Sequence, residues 1–202
     1  MKVKKKLILI GAGGHCNSCI DVIEQENKYR IVGLIDKKKK LKSKYKVIGT
    51  DKDLKKVKKN CNNILVSIGQ IKNLFVREKI FELGKENNFN FPVIISPYAY
   101  VSTGATIGEG TIVMHGAIVN KNCKIGKNCI INTGSILEHD SNIGDNCHIS
   151  TGAIVNGGVT IGRNSFIGSG SVIKQNLSIG NQCFINAKKF LQKNLKNNSK
   201  FL

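Results

Sequence analysis

The feature that most constrains this chain is a strict period of six residues in its second half. From Val101 to Ile185, fifteen consecutive positions six residues apart hold a branched aliphatic residue. An α-helix repeats every 3.6 residues or so and a flat strand about every two, so neither explains this period. A short repeat of fixed length is typical of solenoids, in which each unit buries its apolar side chains against its neighbours.

A second set of positions keeps the same period. Two residues before each aliphatic position, from Ala99 to Cys183, the side chain is nearly always small, and a glycine often follows the aliphatic residue, as at Gly126 and Gly144. One large residue, one small residue and a glycine-rich turn describe a short strand and a corner. Three such units make one turn of a triangular prism, and fifteen make about five coils. We therefore predict a parallel β-helix in which positions three repeat units apart lie above one another.

The first part of the chain has a different pattern. It predicts strands at 7–10, 31–35 and 64–68, a tight loop at 11–15, and helices at 16–27 and 71–88, the last with Leu74, Ile80 and Leu83 on its inner side. Strand, glycine-rich turn, helix and strand form a Rossmann-like βαβ unit. The two prolines, Pro92 and Pro97, bracket the join between the parts. We predict a small α/β domain at 1–91, the β-helix at 92–187, and a basic tail at 188–202, with a helix as one option.

The glycine-rich turn does not carry the full dinucleotide fingerprint. Gly11, Gly13 and Gly14 are present, but Cys16 stands where the third glycine is needed, so NAD is not predicted. Glycines at a helix N-terminus still allow backbone N–H groups to approach a phosphate, and Asp36 can accept hydrogen bonds from a ribose or a base. The alternative, a tight turn without a ligand, stays open.

Composition limits the classes of partner. The net charge of +19 raises nucleic-acid binding, but the charge is mostly Lys in scattered runs and only 6% of residues are aromatic, so no nucleic acid is predicted. A solvated basic surface is one interpretation, and attraction of small polyanions such as a nucleotide or coenzyme A is the other. No apolar stretch is long enough to span a membrane. We interpret the basic start before Leu7 as leading into a buried strand rather than as a signal peptide, which predicts a cytoplasmic protein.

The seven cysteines do not predict a metal site or disulfides. Four of them fall on the small-residue positions of the repeat, where Cys packs as a small apolar residue: Cys123, Cys129, Cys147 and Cys183. Cys16 and Cys19 have no second pair to complete a zinc site. An odd number in a cytoplasmic chain fits reduced thiols.

The densest polar cluster of the repeat is Glu138-His139-Asp140. One coil above His139, three repeat units further on, lies Gly157. A histidine beside a carboxylate and below an exposed glycine backbone combines a general base, its orienting group and an amide donor for an oxyanion. His148 falls half a coil away, so both histidines line one site only where neighbouring prisms meet. This predicts an oligomer, and threefold packing suits a triangular prism.

Several motifs resemble the left-handed β-helix sugar acetyltransferases related to the bacillosamine-pathway enzyme and to the sialic acid O-acetyltransferases. They are Gly11–His15, Asp36, Ser67–Gly69, Ile136–Asp140, Ile143–Asp145 and His148–Ala153. The resemblance covers about residues 5–187. It implies a left-handed β-helix, acetyl-CoA as co-substrate without a metal, and a homotrimer with sites between subunits. A three-histidine zinc site at His115, His139 and His148, as in β-helical carbonic anhydrases, is not predicted because the spacing differs from theirs; His115 is expected to be a surface histidine.

The resemblance also implies roles for single residues. His139 acts as the general base and Asp140 orients it. Four residues are implied to contact acetyl-CoA: His148, Gly157 through its N–H, Ser169 and Ala187. Six are implied to hold the nucleotide part of the substrate: Gly13, Gly14, His15, Asp36, Lys37 and Gly69.

Two departures from the family pattern matter. The family usually ends in a Gly-x-Pro-Ala turn that closes the coenzyme site, whereas this chain has Phe184–Ala187 without a proline. Some members carry two acidic residues after the second strand, where this chain has Ile35-Asp36, so the nucleotide base is left open.

The predicted function is N-acetylation of a nucleotide-linked 4-amino sugar by acetyl-CoA. Direct transfer is expected because Cys147 belongs to the inner positions of the repeat, which leaves no acyl-accepting nucleophile near His139. Two alternatives remain: O-acetylation of a sialic-acid-like sugar, and a β-helical binding module without turnover.

Overall fold

A computed structural model describes residues 3–37, 43–71 and 75–202. Its first part is a small α/β domain built on four parallel strands in the order β3-β2-β1-β4. The strands are β1 Lys5–Ile10, β2 Tyr29–Ile35, β3 Val47–Gly49 and β4 Ile64–Val66. The helices are α1 Gly14–Glu26, α2 Leu54–Lys58 and α3 Phe75–Glu86, with a 3₁₀ turn at Asp51–Asp53.

Strand β1 shows why this sheet forms. Leu7 and Leu9 belong to one apolar cluster, whereas Ile8 and Ile10 belong to another on the opposite side of the sheet. Because successive strand residues point to opposite faces, a strand buried on both faces reads as an unbroken apolar run. The run at the start of the sequence is therefore an internal strand, as predicted.

The helices differ in detail from the prediction. Helix α1 begins at Gly14, two residues before the predicted start, so Gly14 and His15 form its first turn. In α3, Ile80 is buried and Leu83 is half-buried, as expected for its inner side, while Leu74 lies outside the described residues. Strand β3 and helix α2 were not predicted because both are short and lie in lysine-rich sequence.

The second part is a triangular prism of two-residue parallel strands in three sheets. The face on which the α/β domain packs is called the covered face. Within the described ranges it has seven strands: Ile94–Ile95, Ile112–Val113, Ile130–Ile131, His148–Ile149, Phe166–Ile167, Phe184–Ile185 and Lys200–Phe201. The apolar face has six: Tyr100–Val101, Ile118–Val119, Ile136–Leu137, Ile154–Val155, Val172–Ile173 and Phe190–Leu191. The polar face has five: Thr106–Ile107, Lys124–Ile125, Asn142–Ile143, Thr160–Ile161 and Ser178–Ile179.

The interior of the prism follows the repeat. Ile131 pairs with Ile149 in the next coil, and both are fully buried, as are the four repeat cysteines. The predicted stacking of positions three repeat units apart is thus confirmed. The corner at Gly126 is tight: a Cβ on Gly126 would lie 2.8 Å or less from the backbone or side chain of Gly144 and Asp145 in the next coil. The third residue after most interior aliphatic residues has a positive φ and is usually Gly or Asn, which tolerate that conformation.

The prediction of a basic tail from residue 188 is wrong. Leu191 is fully buried one repeat unit after Ile185, and Phe190–Leu191 and Lys200–Phe201 are strands of the prism. Ile185 pairs with Phe201, although a full coil would end two positions later. Because this last coil is shortened, it departs from the six-residue period and cannot be predicted from that period. The prism also begins one unit earlier than predicted, at Ile94–Ile95, and therefore exceeds five coils.

The outward side chains distinguish the three faces. On the polar face every outward residue is hydrophilic: Thr106, Lys124, Asn142, Thr160 and Ser178. On the apolar face every one is hydrophobic: Tyr100, Ile118, Ile136, Ile154, Val172 and Phe190. Tyr100 is 59% exposed and Phe190 54% exposed at its two ends. The apolar face is thus a continuous hydrophobic stripe without a cover in one chain.

The α/β domain packs on the covered face. Outward Ile94, Ile112 and Ile130 join the apolar cluster of α1 and β1. Arg77 of α3 is completely buried and donates hydrogen bonds to carbonyls of both parts, among them Val66 O and Asn128 O. Burial lowers the pKa of Arg77 to about 10, so the guanidinium stays charged at neutral pH. The two parts are therefore held together by both an apolar contact and a buried cation.

His115 adds a further link between the parts. Its Nε2 lies 2.9 Å from Asp21 Oδ2 of α1, and its Nδ1 lies 2.5 Å from Ser96 Oγ. The expected surface histidine is thus half-buried, because the turn after Ile112–Val113 faces α1.

Candidate active site

The corner that joins the apolar face to the polar face carries the predicted base. At this His139 corner (residues 138–140, with Gly157 and Gly158 one coil further), the side chains of His139 and Asp140 are 66% and 57% exposed. His139 Nδ1 lies 2.8 Å from Asp140 Oδ2. Asn122, one coil below, donates its Nδ2 to Asp140 Oδ1 at 3.0 Å. The structure thus brings His139 and Asp140 together as predicted.

Asp140 holds its place through its backbone as well. Its φ of +60° is the left-handed turn conformation that other corners fill with Asn or Gly. Its N–H donates to Lys121 O at 3.1 Å. The hydrogen bonds from His139 and then Asn122 lower the pKa of the Asp140 carboxyl. An ionised Asp140 accepts the Nδ1 proton of His139, which leaves Nε2 as the free acceptor.

Gly157 lies against the free side of the His139 ring. A Cβ on Gly157 would stand 2.7 Å from His139 Cε1 and 2.7 Å from Nε2, so only glycine leaves room for the ring there. The Gly158 N–H donates to His139 O at 3.0 Å and fixes the two coils in register. In the described part of the chain, the Gly157 N–H makes no hydrogen bond. The Nε2 atom of His139 therefore packs against Gly157.

The predicted coenzyme residues Ser169 and Ala187 occupy another corner. This Ser169 corner joins the covered face to the apolar face and stacks Thr151, Ser169 and Ala187 at one position of successive coils. Ser169 Oγ lies 2.9 Å from Ser150 Oγ, and Ser169 O accepts the Lys188 N–H at 2.8 Å. Ser169 and Ala187 are both exposed. The two corners bound the apolar face on either side, so one chain does not bring them together.

The α/β domain contains a cavity of about 1120 Å³ at the carboxyl ends of β1, β2 and β4. All six residues predicted to hold the nucleotide line it: Gly13, Gly14, His15, Asp36, Lys37 and Gly69. Sequence reasoning missed Asp51, Lys79 and the apolar residues Ile71 and Val76 of the same wall. Asp51 belongs to the short 3₁₀ turn, and Val76 and Lys79 belong to α3; neither element carries a sequence motif.

The floor of the cavity is built around the start of α1. Gly13 is its N-cap, both glycines are exposed, and a Cβ on Gly13 or Gly14 would meet nothing within 4 Å, so the backbone at the start of α1 borders open space. The free N–H groups and the dipole of a helix N-terminus favour an anion. Asp36 Oδ2 accepts the Ala12 N–H at 2.8 Å and holds the glycine turn closed. The arrangement suits a phosphate beside α1 and a sugar or base hydroxyl near Asp36.

His148 lies apart from both corners, on the covered face below the α/β domain. It is 4% exposed. Its Nδ1 donates to Gln70 O at 2.6 Å, and its Nε2 lies 3.0 Å from Asn132 Nδ2. Burial lowers the pKa of His148 to about 4, so the ring is neutral and both its nitrogens are engaged. The contact of His148 with acetyl-CoA stays a prediction.

His15 and Gln70 share this buried region. Burial, with Arg77 and His148 as weaker causes, lowers the pKa of His15 to about 3. His15 Nε2 and Gln70 Oε1 are buried without a hydrogen-bond partner among the described residues. His15 is therefore a neutral wall of the cavity. Within the described ranges no cluster of His, Cys, Asp and Glu has the form of a metal site, and no helix has the length and apolarity of a membrane span.

Comparison with known protein families agrees with the two-part fold. Residues 6–83 match the family described as the PglD N-terminal domain, and residues 90–200 match the GMPPB C-terminal domain. No curated protein sequence matches the chain at a significant level. The second match covers the stretch through which the prism runs, including most of its last coil.

Solved structures match over nearly the whole chain. The acetyltransferase domain of PglB from Neisseria gonorrhoeae, in complex with acetyl coenzyme A, is 30% identical, with a TM-score of 0.91 over 98% of this chain and 96% of that one. A histidine-to-asparagine mutant of perosamine N-acetyltransferase from Caulobacter crescentus, in complex with CoA and GDP-perosamine, is 25% identical, with a TM-score of 0.91 over 96% and 92%. WeeI from Acinetobacter baumannii, at 24% identity and a TM-score of 0.85 over 98% and 96%, shares the fold.

The fold is that of a left-handed β-helix acetyltransferase, and this chain is an enzyme of that class. The match to PglB extends through both parts of the molecule. The chain belongs to the hexapeptide-repeat sugar acetyltransferases of the bacillosamine-pathway type.

Proposed function

We propose that this enzyme transfers the acetyl group of acetyl-CoA to the amine of a nucleotide-linked 4-amino sugar. The observation that carries the proposal is the His139 corner, where an oriented imidazole stands beside an unused amide N–H. The cavity with an anion-favouring helix start supplies a separate place for the nucleotide. Relatives of the same fold hold acetyl coenzyme A, or CoA with GDP-perosamine, which supports the same pair of ligands here.

The reaction needs one proton transfer and one carbonyl addition. The sugar amine attacks the thioester carbonyl while His139 Nε2 takes a proton from the attacking nitrogen. The carbonyl oxygen becomes an oxyanion and accepts a hydrogen bond from the Gly157 N–H. The C–S bond then breaks, the thiolate of CoA leaves, and the proton on His139 neutralises it. Asp140 stabilises the imidazolium that exists between these steps.

Direct transfer agrees with the placement of the cysteines. Cys147 is completely buried inside the prism, and burial raises the pKa of its thiol well above the ordinary value. A buried neutral thiol is a poor nucleophile. The other described thiols are also buried, so none of them lies exposed beside His139.

A complete site needs two chains. In a triangular cross-section the His139 corner lies opposite the covered face, which carries the α/β domain and its cavity. One chain therefore holds its base and its nucleotide cavity on opposite sides of the prism. A homotrimer resolves this if the apolar faces pack around a threefold axis, because each His139 corner then meets the Ser169 corner of the next protomer.

The surfaces of the prism support that arrangement. The apolar face exposes a hydrophobic stripe from Tyr100 to Phe190, whereas the polar face exposes only hydrophilic side chains. Large apolar patches on a single chain indicate an interface. The Ser169 corner adjoins the covered face, so the neighbouring protomer brings its own cavity toward His139. Acetyl-CoA would lie between the two corners.

Thiol release from acetyl-CoA tests the function directly. The acceptors are UDP-4-amino sugars, GDP-4-amino sugars and free sialic-type acids. We expect turnover with a nucleotide-linked amino sugar, and a product that carries an amide. Turnover with free acids alone would instead establish O-acetylation, since the same base serves a hydroxyl. Absence of acetyl-CoA binding would contradict the proposed enzyme altogether.

Subunit complementation tests the shared site. One variant, His139→Asn, lacks the base, and the other, Gly13→Glu, places an acid where a phosphate is expected. A Cβ fits at Gly13, so the second variant should fold. Each variant alone should be inactive. After unfolding and co-refolding at equal amounts, random mixing in a trimer should restore about a quarter of wild-type activity. No recovery from correctly assembled mixed trimers would place base and cavity in one chain.

A further inference from the structure

The C-terminal end of the prism carries basic side chains and no acidic ones. Asp145 is the last acidic residue of the sequence, and the stretch after it contains seven basic ones: Arg163, Lys174, Lys188, Lys189, Lys193, Lys196 and Lys200. Among the described residues none of these seven takes part in an ion pair. Like charges held close together repel, and a bound anion relieves that repulsion. This end of the molecule is thus prepared for an anionic ligand.

Two of the lysines lie at the Ser169 corner. Lys188 follows Ala187, is exposed, and is fixed by its N–H bond to Ser169 O at 2.8 Å. Lys189 stands at a small-residue position of the repeat, is half-buried, and donates its N–H to Ser171 Oγ at 3.1 Å. The last coil, which the sequence pattern hides, is therefore what anchors these two cations beside the predicted coenzyme residues.

Two further lysines lie on the line of the His139 corner. Lys174 follows Ile173 at this corner, and Lys193 follows Leu191 at the same corner of the last coil, where that coil is shortened. Both are exposed, and the Lys174 N–H donates to Leu191 O at 3.0 Å. In the trimer proposed above, this corner faces the Ser169 corner of the next protomer. Four lysines from two chains then border one groove at its C-terminal end.

The groove has a defined direction. The thioester must lie at His139 and Gly157, and the two coils that follow extend the groove by about 10 Å at the usual strand spacing. The described contacts of the α/β domain with the prism run from Ile94 to Asn164, so the coils after Asn164 are left for the rest of the coenzyme. The phosphates of CoA are its anionic part, and ammonium groups bind phosphates well.

We propose that Lys188 and Lys189 of one protomer, with Lys174 and Lys193 of its neighbour, bind the phosphates of acetyl-CoA. The inference rests on the proposed function, since it assumes that the thioester lies at the His139 corner. It assigns a role to part of the excess positive charge and to the last coil.

The test compares acetyl-CoA with acetyl-pantetheine, which carries the same thioester without phosphates. Dissociation constants are measured by calorimetry for the wild type and for the double variant Lys188→Gln/Lys193→Gln. We expect the variant to bind acetyl-CoA at least about tenfold more weakly, because charge-assisted hydrogen bonds contribute this much. Its affinity for acetyl-pantetheine should equal that of the wild type. Lys188→Arg/Lys193→Arg should keep most of the affinity for acetyl-CoA.

A matched control distinguishes a specific phosphate-binding site from a general effect of positive charge. Lys196→Gln/Lys200→Gln removes the same charge from the same coil, but Lys200 lies on the covered face and Lys196 next to the polar face. This control should bind acetyl-CoA within about twofold of the wild type, since exposed charges beyond a Debye length of about 8 Å are screened. Equal losses in the two double variants would overturn the site. Unchanged acetyl-CoA binding in Lys188→Gln/Lys193→Gln would overturn it too, whereas no binding by the wild type would overturn the proposed function.

Discussion

Two histidines of the same repeat, His139 and His148, have opposite surroundings. His139 stands at a corner, 66% exposed, with one nitrogen bonded to Asp140 and the other free. His148 stands on a face, 4% exposed, with both nitrogens bonded inside the chain. The corner leaves the imidazole of His139 open to solvent, whereas the covered face places the imidazole of His148 under the α/β domain. The position within the six-residue unit, rather than the residue type, decides which histidine is available for chemistry.

The largest expected effect comes from removing the proposed base, His139. His139→Asn should lower kcat/KM by about 10³-fold, within the range of general-base catalysis. Because the side chain is exposed, acetyl-CoA binding and the melting temperature should stay close to wild type. Steady-state thiol release and calorimetry check both statements. If the variant keeps a tenth of the wild-type activity, His139 is not the general base.

His148, on the covered face, should instead affect how the free energy of unfolding depends on pH. His148 has a pKa of about 4 in the folded chain and about 6.5 when unfolded, so the unfolded chain binds the proton first. Stability should be full above pH 6.5 and fall as the pH drops toward 4, by about 3 kcal/mol from this residue. Denaturant unfolding at several pH values measures the slope.

The comparison variant is His148→Phe, which removes the titrating group and continues the aromatic row of Phe166 and Phe184. Its stability should be lower overall but less dependent on pH over the same window. Thr160→Ala, an exposed substitution on the polar face, should keep the wild-type slope. An unchanged slope in His148→Phe would contradict the assignment of a buried neutral ring.

A third experiment disturbs the corner without touching the histidine. Gly157→Ala places a methyl group 2.7 Å from the His139 ring, so the ring must turn away. Because Nε2 then leaves the amide of residue 157, kcat should fall about 100-fold. The neighbour is an exposed side chain that can move, so the melting temperature should change by no more than about 3 °C. Normal kcat in Gly157→Ala would show that the observed ring position is not the reactive one.

The smallest effect is expected from the charge of Asp140. Asn is well tolerated at the left-handed turn position, as Asn122 and Asn176 show, so Asp140→Asn removes the charge and leaves the corner intact. Without the carboxylate the imidazolium is less stabilised, and kcat should fall about tenfold, since the pair is exposed and solvent screens it. Stopped-flow thiol release resolves this difference. A loss as large as that of His139→Asn would give Asp140 a more direct role.

The prism could be predicted almost completely because its contacts are set by sequence spacing. Ile131 lies below Ile149, and His139 below Gly157, by counting alone. The strict six-residue period ends at Ile185. The next coil is two residues shorter than the others, so counting in steps of six does not predict it. Counting also finds Asn122, one coil below Asp140, as a further partner of the carboxylate.

The α/β domain was less open to prediction because its contacts join distant segments. The glycine turn and Asp36 identify the cavity, but Lys79 and Asp51 reach it only through the packing of α3 and the turn before α2. The burial of His148 depends on Gln70, far earlier in the chain, and on where the domain docks. Arg77 carries no motif at all, although it ties the two parts together.

Because nearly every coil consists of three repeat units, the place of each residue in the prism depends on the number of residues that precede it. One residue inserted within a strand would turn every later side chain by one position, so interior aliphatic residues would face solvent and the side chains of all following corners would be displaced. Whole coils, in contrast, can be gained or lost without changing any unit. Such a change would alter only the distance between His139 and the basic end. In the groove proposed above, one coil more or less would change the length by about 4.8 Å and leave the residues of the His139 corner unchanged.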